Sequence, residues 1–153
     1  MSKLGEERQG SNMQTGVQRV EAKLALMVTA GADATSIAEA ACAVWRDMAI
    51  ALSPIIGQHG TAALYKRSLH LTRSAHSSLS VVHDAADDIG DFTALHKALS
   101  SQPSSGAAAT NVALLKNFHD ILSSLIGPAL AERLLRPALD KPSTNHAVQD
   151  PKP

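Results

Sequence analysis

Apolar residues Val17, Val20, Leu24 and Val28 recur at i, i+3, i+7 and i+11, with Gln18, Arg19, Glu21 and Lys23 opposite them. That is the period of an amphipathic helix. Gly31 predicts its end, because glycine takes a positive φ without a Cβ penalty. Asp33 or Thr35 can accept an orphan backbone N–H and cap a second helix, whose stripe is Ile37, Ala41, Val44, Met48 and Leu52, flanked by Trp45. Pro54 predicts a kink near its end, and Gly57 and Gly60 predict a stop.

Thr61 then reads as the cap of a third helix, Ala62 to about Asp88, with apolar positions at Leu64, Leu71 and Leu79. Ser74, Ser77, Ser78 and Ser80 weaken its middle, so a break is expected there. A short fourth helix starts at Asp91 and runs through Phe92, Leu95 and Leu99, and Ser100 to Gly106 reads as a loop around Pro103. Val112, Leu115, Phe118, Leu122, Leu125 and Ile126 line the clearest helix, with Lys116 and Asp120 as an i, i+4 ion pair. Gly127 followed by Pro128 predicts a stop and restart, and Pro137 the end of a terminal helix over 129–136. The reading is an all-α antiparallel bundle of four longer helices plus one or two short ones over residues 17–139, between disordered tails at 1–16 and 140–153.

One pattern spans the chain. LSPIIGQHGTAALYKRSL at 52–69 aligns with LSSLIGPALAERLLRPAL at 122–139, with identities at Leu52/Leu122, Ser53/Ser123, Ile56/Ile126, Gly57/Gly127, Leu64/Leu134 and Leu69/Leu139. The offset is 70 residues, and each copy is an apolar helix that ends in Ile-Gly and restarts in a basic helix. A duplicated helix–corner–helix follows as an expectation, with two halves about a pseudo-two-fold axis and structural corners at Gly57, Gly60, Gly127 and Pro128.

Composition narrows the function. Aromatic residues are 3% of the 153, so the core rests on Leu, Ala, Ile and Val. Fourteen Lys plus Arg balance fourteen Asp plus Glu, which leaves no field of one sign to gather nucleic acid or anionic lipid. The lone Cys42 cannot form an internal disulfide and reads as a small core residue of a cytoplasmic protein. The first sixteen residues show no secretory apolar run, and the apolar window 37–56 carries Glu39, Arg46 and Asp47, so it reads as a buried helix and not a membrane span.

Three clusters can carry chemistry. His76, His83 and Asp87 fall at i, i+7 and i+11 on one face of an unbroken helix and suit Zn²⁺ or Fe²⁺, although seven residues span about 10 Å of axis, too far to share one ion without a partner element. Lys66, Arg67 and Arg73, with His70, form a basic face that suits an acidic partner or a phosphate, or pairs with Glu39, Asp47 or Glu132. The string Ala75-His76-Ser77-Ser78-Leu79-Ser80 distantly resembles the phosphoacceptor segment of histidine phosphotransfer domains. The resemblance implies a four-helix bundle with His76 as an exposed helical phosphoacceptor, but the Lys and Gly of that family's pattern are Ser and Leu in this sequence. No motif for a cofactor or a catalytic nucleophile is present. The expectation is a non-enzymatic protein-interaction or signalling module, a homodimer in the first instance. A phosphorelay module using His76 stands second and a metal- or small-ligand-binding bundle third.

Overall fold

The computed structural model describes residues 15–85 and 91–139, all helix and short turn without a strand. Helix α1 is Thr15–Thr29, α2 Ala34–Thr72, α3 Leu79–Ala85, α4 Thr93–Ser100, α5 Ser104–Ile126 and α6 Pro128–Leu139. The all-α bundle expected from the periodicity is the fold. The predicted tails lie outside the described residues except for Thr15 and Gly16, which form the first turn of α1. Gly16 packs so closely on Leu139 that a Cβ there would lie 2.7 Å from its Cδ1.

Local chemistry accounts for most boundaries. Asp33 caps α2 by accepting from the Ser36 N–H at 2.9 Å, and this bond to the ionised form lowers the carboxyl pKa. Gly31 has φ +90° in the turn before it. Asp91 accepts from Thr93 N–H at 3.2 Å at the start of α4, again with its pKa lowered. Pro103 precedes α5 directly, so the predicted loop 100–106 shrinks to residues 101–103.

The corner expected at Gly57 is present: with φ 83° and ψ 158° it is the one non-helical position of α2 and divides it into two helical arms, 34–56 and 58–72. Gly60 lies inside the second arm and is no corner. Thr61 is not a cap either: its hydroxyl donates to the Gly57 carbonyl at 2.8 Å, one turn back. Pro54 is accommodated within the first arm. The second arm ends at Thr72, so the helix expected to reach Asp88 is divided by a turn over residues 73–78. Pro137 does not end α6, which continues to Leu139. Lys116 pairs with Glu21 of α1 at 3.8 Å instead of the expected Asp120.

By length and composition alone, α2 also holds an 18-residue window apolar enough to cross a membrane. Here its apolar face forms the centre of the core. Trp45 meets Phe118 edge-on at 5.1 Å between ring centroids and lies 5.4 Å from Tyr65, and Tyr65 meets Phe92 at 5.3 Å. These aromatics join α4, α5 and both arms of α2, with Leu52, Leu69, Leu95, Leu99, Leu114, Leu115 and Leu122 fully buried around them. The Trp45 indole N–H donates to Asn111 Oδ1 at 2.8 Å, which satisfies the one donor that its burial would otherwise strand.

The 70-residue offset extends to the backbone. The first arm of α2 begins at Ala34 and α5 at Ser104; the first arm turns at Gly57 and α5 at Gly127, whose φ 92° and ψ 146° nearly repeat those of Gly57. Burial repeats as well: Ile37/Ala107, Ala41/Asn111, Cys42/Val112, Trp45/Leu115, Met48/Phe118, Leu52/Leu122, Thr61/Ala131, Tyr65/Leu135, Ser68/Ala138 and Leu69/Leu139 are buried at both positions. Ile56 and Ile126 are half-buried against the core in both units.

The two units run in the same direction. Asn117 of α5 donates to Thr72 at 2.8 Å while the earlier Thr110 meets the later His76 at 3.1 Å, so the second arm of α2 descends as α5 ascends. Contact between Trp45 and Tyr65 folds the two arms back on each other, so the first arm ascends with α5. Both corners therefore lie at one end of the bundle.

Candidate functional site

The second arm of α2 carries the basic face. Lys66, His70 and Arg73 follow at i, i+4 and i+7, so they share one side of the helix. Tyr65, adjacent in sequence, turns the other way into the aromatic core, where burial pushes its hydroxyl pKa far up. The turn over 73–78 then reverses the chain and brings α3 alongside. The His83 ring lies beside that of His70, 5.7 Å between centroids and tilted by 47°, and Arg73 Nη1 lies 3.4 Å from His83 Nδ1.

Four basic side chains thus gather on two elements. Of the expected carboxylate partners, Glu132 faces His119 at 3.8 Å and Glu39 is exposed on the first arm. Among the described residues no carboxylate pairs with Lys66, Arg67 or Arg73, and only Asp84 touches the cluster, 3.3 Å from His83 Nδ1. His70 lies in the last turn of the arm and Arg73 is its C-cap, where the negative end of the helix macrodipole favours a cation. The sequence named Lys66, Arg67, His70 and Arg73, but it missed His83 as a member, because on an unbroken helix that residue belongs to a different stretch.

His76 is placed differently from both of its predicted roles. It is half-buried in the turn, not exposed on a helix, and a polar chain ties it to α5. Gln102 Nε2 donates to the Ala98 carbonyl and to Ser78 Oγ, both at 3.2 Å, so its Oε1 faces Thr110, whose hydroxyl donates to it at 3.0 Å. With its only proton used, Thr110 Oγ1 accepts from His76 Nδ1–H at 3.1 Å. The network assigns the neutral ring's proton to Nδ1 and its lone pair to Nε2.

As for the metal set, His76 and His83 have separate partners, and Asp87 lies outside the described residues. Among the described residues no three His, Cys, Asp or Glu side chains gather as a metal site. Cys42 is buried, its Sγ 3.8 Å from the Phe92 carbonyl, and burial pushes its thiol up to about 11, which favours the neutral form over the nucleophilic thiolate.

At the corner end, Ile55 and Leu125 occupy the same position in the two units, two residues before each glycine, and both are exposed, at 56% and 68%. Leu125 was expected on the buried face and is not there. Leu130 of α6 is 40% exposed beside the second corner. Between α1 and α5 lies a cleft of about 240 Å³ lined by Val17, Gln18, Glu21, Lys116, His119 and Asp120, spanned by the Glu21–Lys116 pair. His119 Nε2 is buried there without a hydrogen-bond partner, and Ser123, one turn on, has a buried hydroxyl in the same condition. Glu132 is 3.8 Å from His119 Nε2, and Ser123 and His119 make no hydrogen bond to each other.

Comparisons with protein-family models, with curated proteins and with solved structures returned no match, so the reading of this chain rests on its own residues.

Proposed function

We propose that this chain is a non-enzymatic helical interaction module that pairs with a second copy of itself through the corner end of the bundle. The observation that carries the proposal is the exposure of Ile55 and Leu125 at equivalent positions of the two units, at one end of the molecule. Each offers a large apolar side chain to water beside a half-buried isoleucine, and Leu130 extends the patch. A second copy suits it, because the chain has zero formal net charge and does not repel itself, and because an isologous dimer buries the same patch twice. A regulatory role in a reducing, cytoplasmic setting extends this reading, supported by a sole cysteine that is buried and unpaired.

Sedimentation velocity tests it. The protein should sediment as a dimer at about 10 µM, an affinity ordinary for a standard interface, and the double variant Ile55→Lys, Leu125→Lys should sediment as a monomer with an unchanged helical spectrum. A wild-type monomer at that concentration, or a variant that still dimerises, overturns the proposal.

The phosphorelay reading retains one supporting observation, the free Nε2 that the Thr110 bond leaves on His76. Incubation with small phosphodonors should leave the protein unlabelled. Labelling abolished by His76→Gln in a folded protein would put this reading first.

A further inference from the structure

From the convergence of Lys66, His70, Arg73 and His83 we infer a binding site for a phosphoryl dianion, on the face formed by the second arm of α2 and by α3, away from the corner end. Lys66 and Arg73 are two permanent cations seven residues apart, about 10 Å along the axis. His70 lies between them on the same side of the helix. The His83 ring sits beside it, 5.7 Å between centroids and tilted by 47°, and Arg73 Nη1 is 3.4 Å from His83 Nδ1.

Lys66 and Arg73 carry two fixed positive charges against the one carboxylate, Asp84, that touches the cluster among the described residues, so the face favours an anion, and a phosphate monoester brings two negative charges to it. The guanidinium, ammonium and imidazole donors belong to separate side chains, which suits a tetrahedral group with three acceptor oxygens better than a planar carboxylate with two. Arg67, exposed on the next position of the arm, adds to the local positive potential. Gathering like charges costs energy that a bound dianion returns. The site requires no covalent step, and it stands or falls separately from self-association.

Two-dimensional NMR on the full chain, following the imidazole signals of His70 and His83, tests the site with three probes at fixed pH and ionic strength: inorganic phosphate, a neutral peptide carrying one phosphoserine, and acetate. Phosphate and the phosphopeptide should each produce saturating shifts at both rings, and acetate should not. Tighter binding of the phosphopeptide than of phosphate assigns the anion to a modified protein, and equal binding assigns it to a free phosphate. Lys66→Gln, which breaks no contact within the fold, should weaken phosphate binding about two- to fivefold, as should Arg73→Gln, with thermal midpoints unchanged for the first. Shifts that never saturate, equal shifts with acetate, or undiminished binding in Lys66→Gln overturn the inference.

Discussion

At the scale of single residues, the core is decided by a few polar atoms among many apolar ones. Asn111 is fully buried and holds the Trp45 indole N–H, so Asn111→Leu should strand that donor and cost about 1–3 kcal/mol. Chemical unfolding followed by the fluorescence of Trp45, the chain's single tryptophan, measures this directly, and an unchanged midpoint would show that the bond contributes nothing. Cys42 makes a second prediction. Its thiol rises from 9.0 to about 11 on folding, chiefly through desolvation, so the fold favours the neutral form. That contribution is intact below pH 9 and is lost as pH climbs through the interval to about 11. A thiol reagent at pH 8 should therefore react with Cys42 at the rate of unfolding, and the thermal midpoint should fall above pH 9. Reaction as fast as that of a free thiol would mean that Cys42 is accessible.

At the scale of elements, the two corners separate what glycine does in a turn from what it does in a helix. Gly57 and Gly127 have positive φ with ψ near 150°, a region that only glycine occupies readily, and no atom lies within 4 Å of where a Cβ would stand at either. Gly57→Ala and Gly127→Ala should each cost about 1–3 kcal/mol through backbone strain alone. Gly60 is helical, and a Cβ there would meet Ile56 at an ordinary 3.6 Å, so Gly60→Ala should stabilise by about 0.5–1 kcal/mol. Equilibrium unfolding of the three variants reads the contrast, and equal signs at Gly57 and Gly60 would contradict the bend. Ile56 and Ile126 are half-buried, so truncating them should cost less than the roughly 2–5 kcal/mol of a fully buried isoleucine, which brings them level with the corner glycines.

At the scale of the molecule, one aromatic cluster joins α4, α5 and both arms of α2, while α1 and α6 close over α5. A single shared core predicts a single transition: Trp45 fluorescence and the far-ultraviolet helical signal should lose structure at the same denaturant concentration. Two resolved transitions would mean that the repeated units unfold separately. Self-association through the corner end should add a concentration dependence to that midpoint, because a partner that binds only the folded form stabilises it by mass action.

Periodicity and short-range chemistry in the sequence alone determined the helical class, the Asp33 cap, the Gly31 and Gly127 turns and the 70-residue correspondence between the halves. Each depends on side chains within one or two turns of one another, and such spacings are written in the chain. The tertiary structure decided what long-range neighbours control. It placed the whole first corner at Gly57 and left Gly60 helical, with Tyr65 of the second arm packed back on Trp45 of the first. The break that Ser74, Ser77, Ser78 and Ser80 predict falls at residues 73–78, but the contacts made there are tertiary: Thr110 meets His76, Asn117 donates to Thr72, and His83 comes to Arg73. The tertiary structure also left Leu125 exposed while Leu122, three residues before it on α5, is fully buried. Which histidines meet which cations depends on contacts between residues tens of positions apart, and a single helical period carries no record of them.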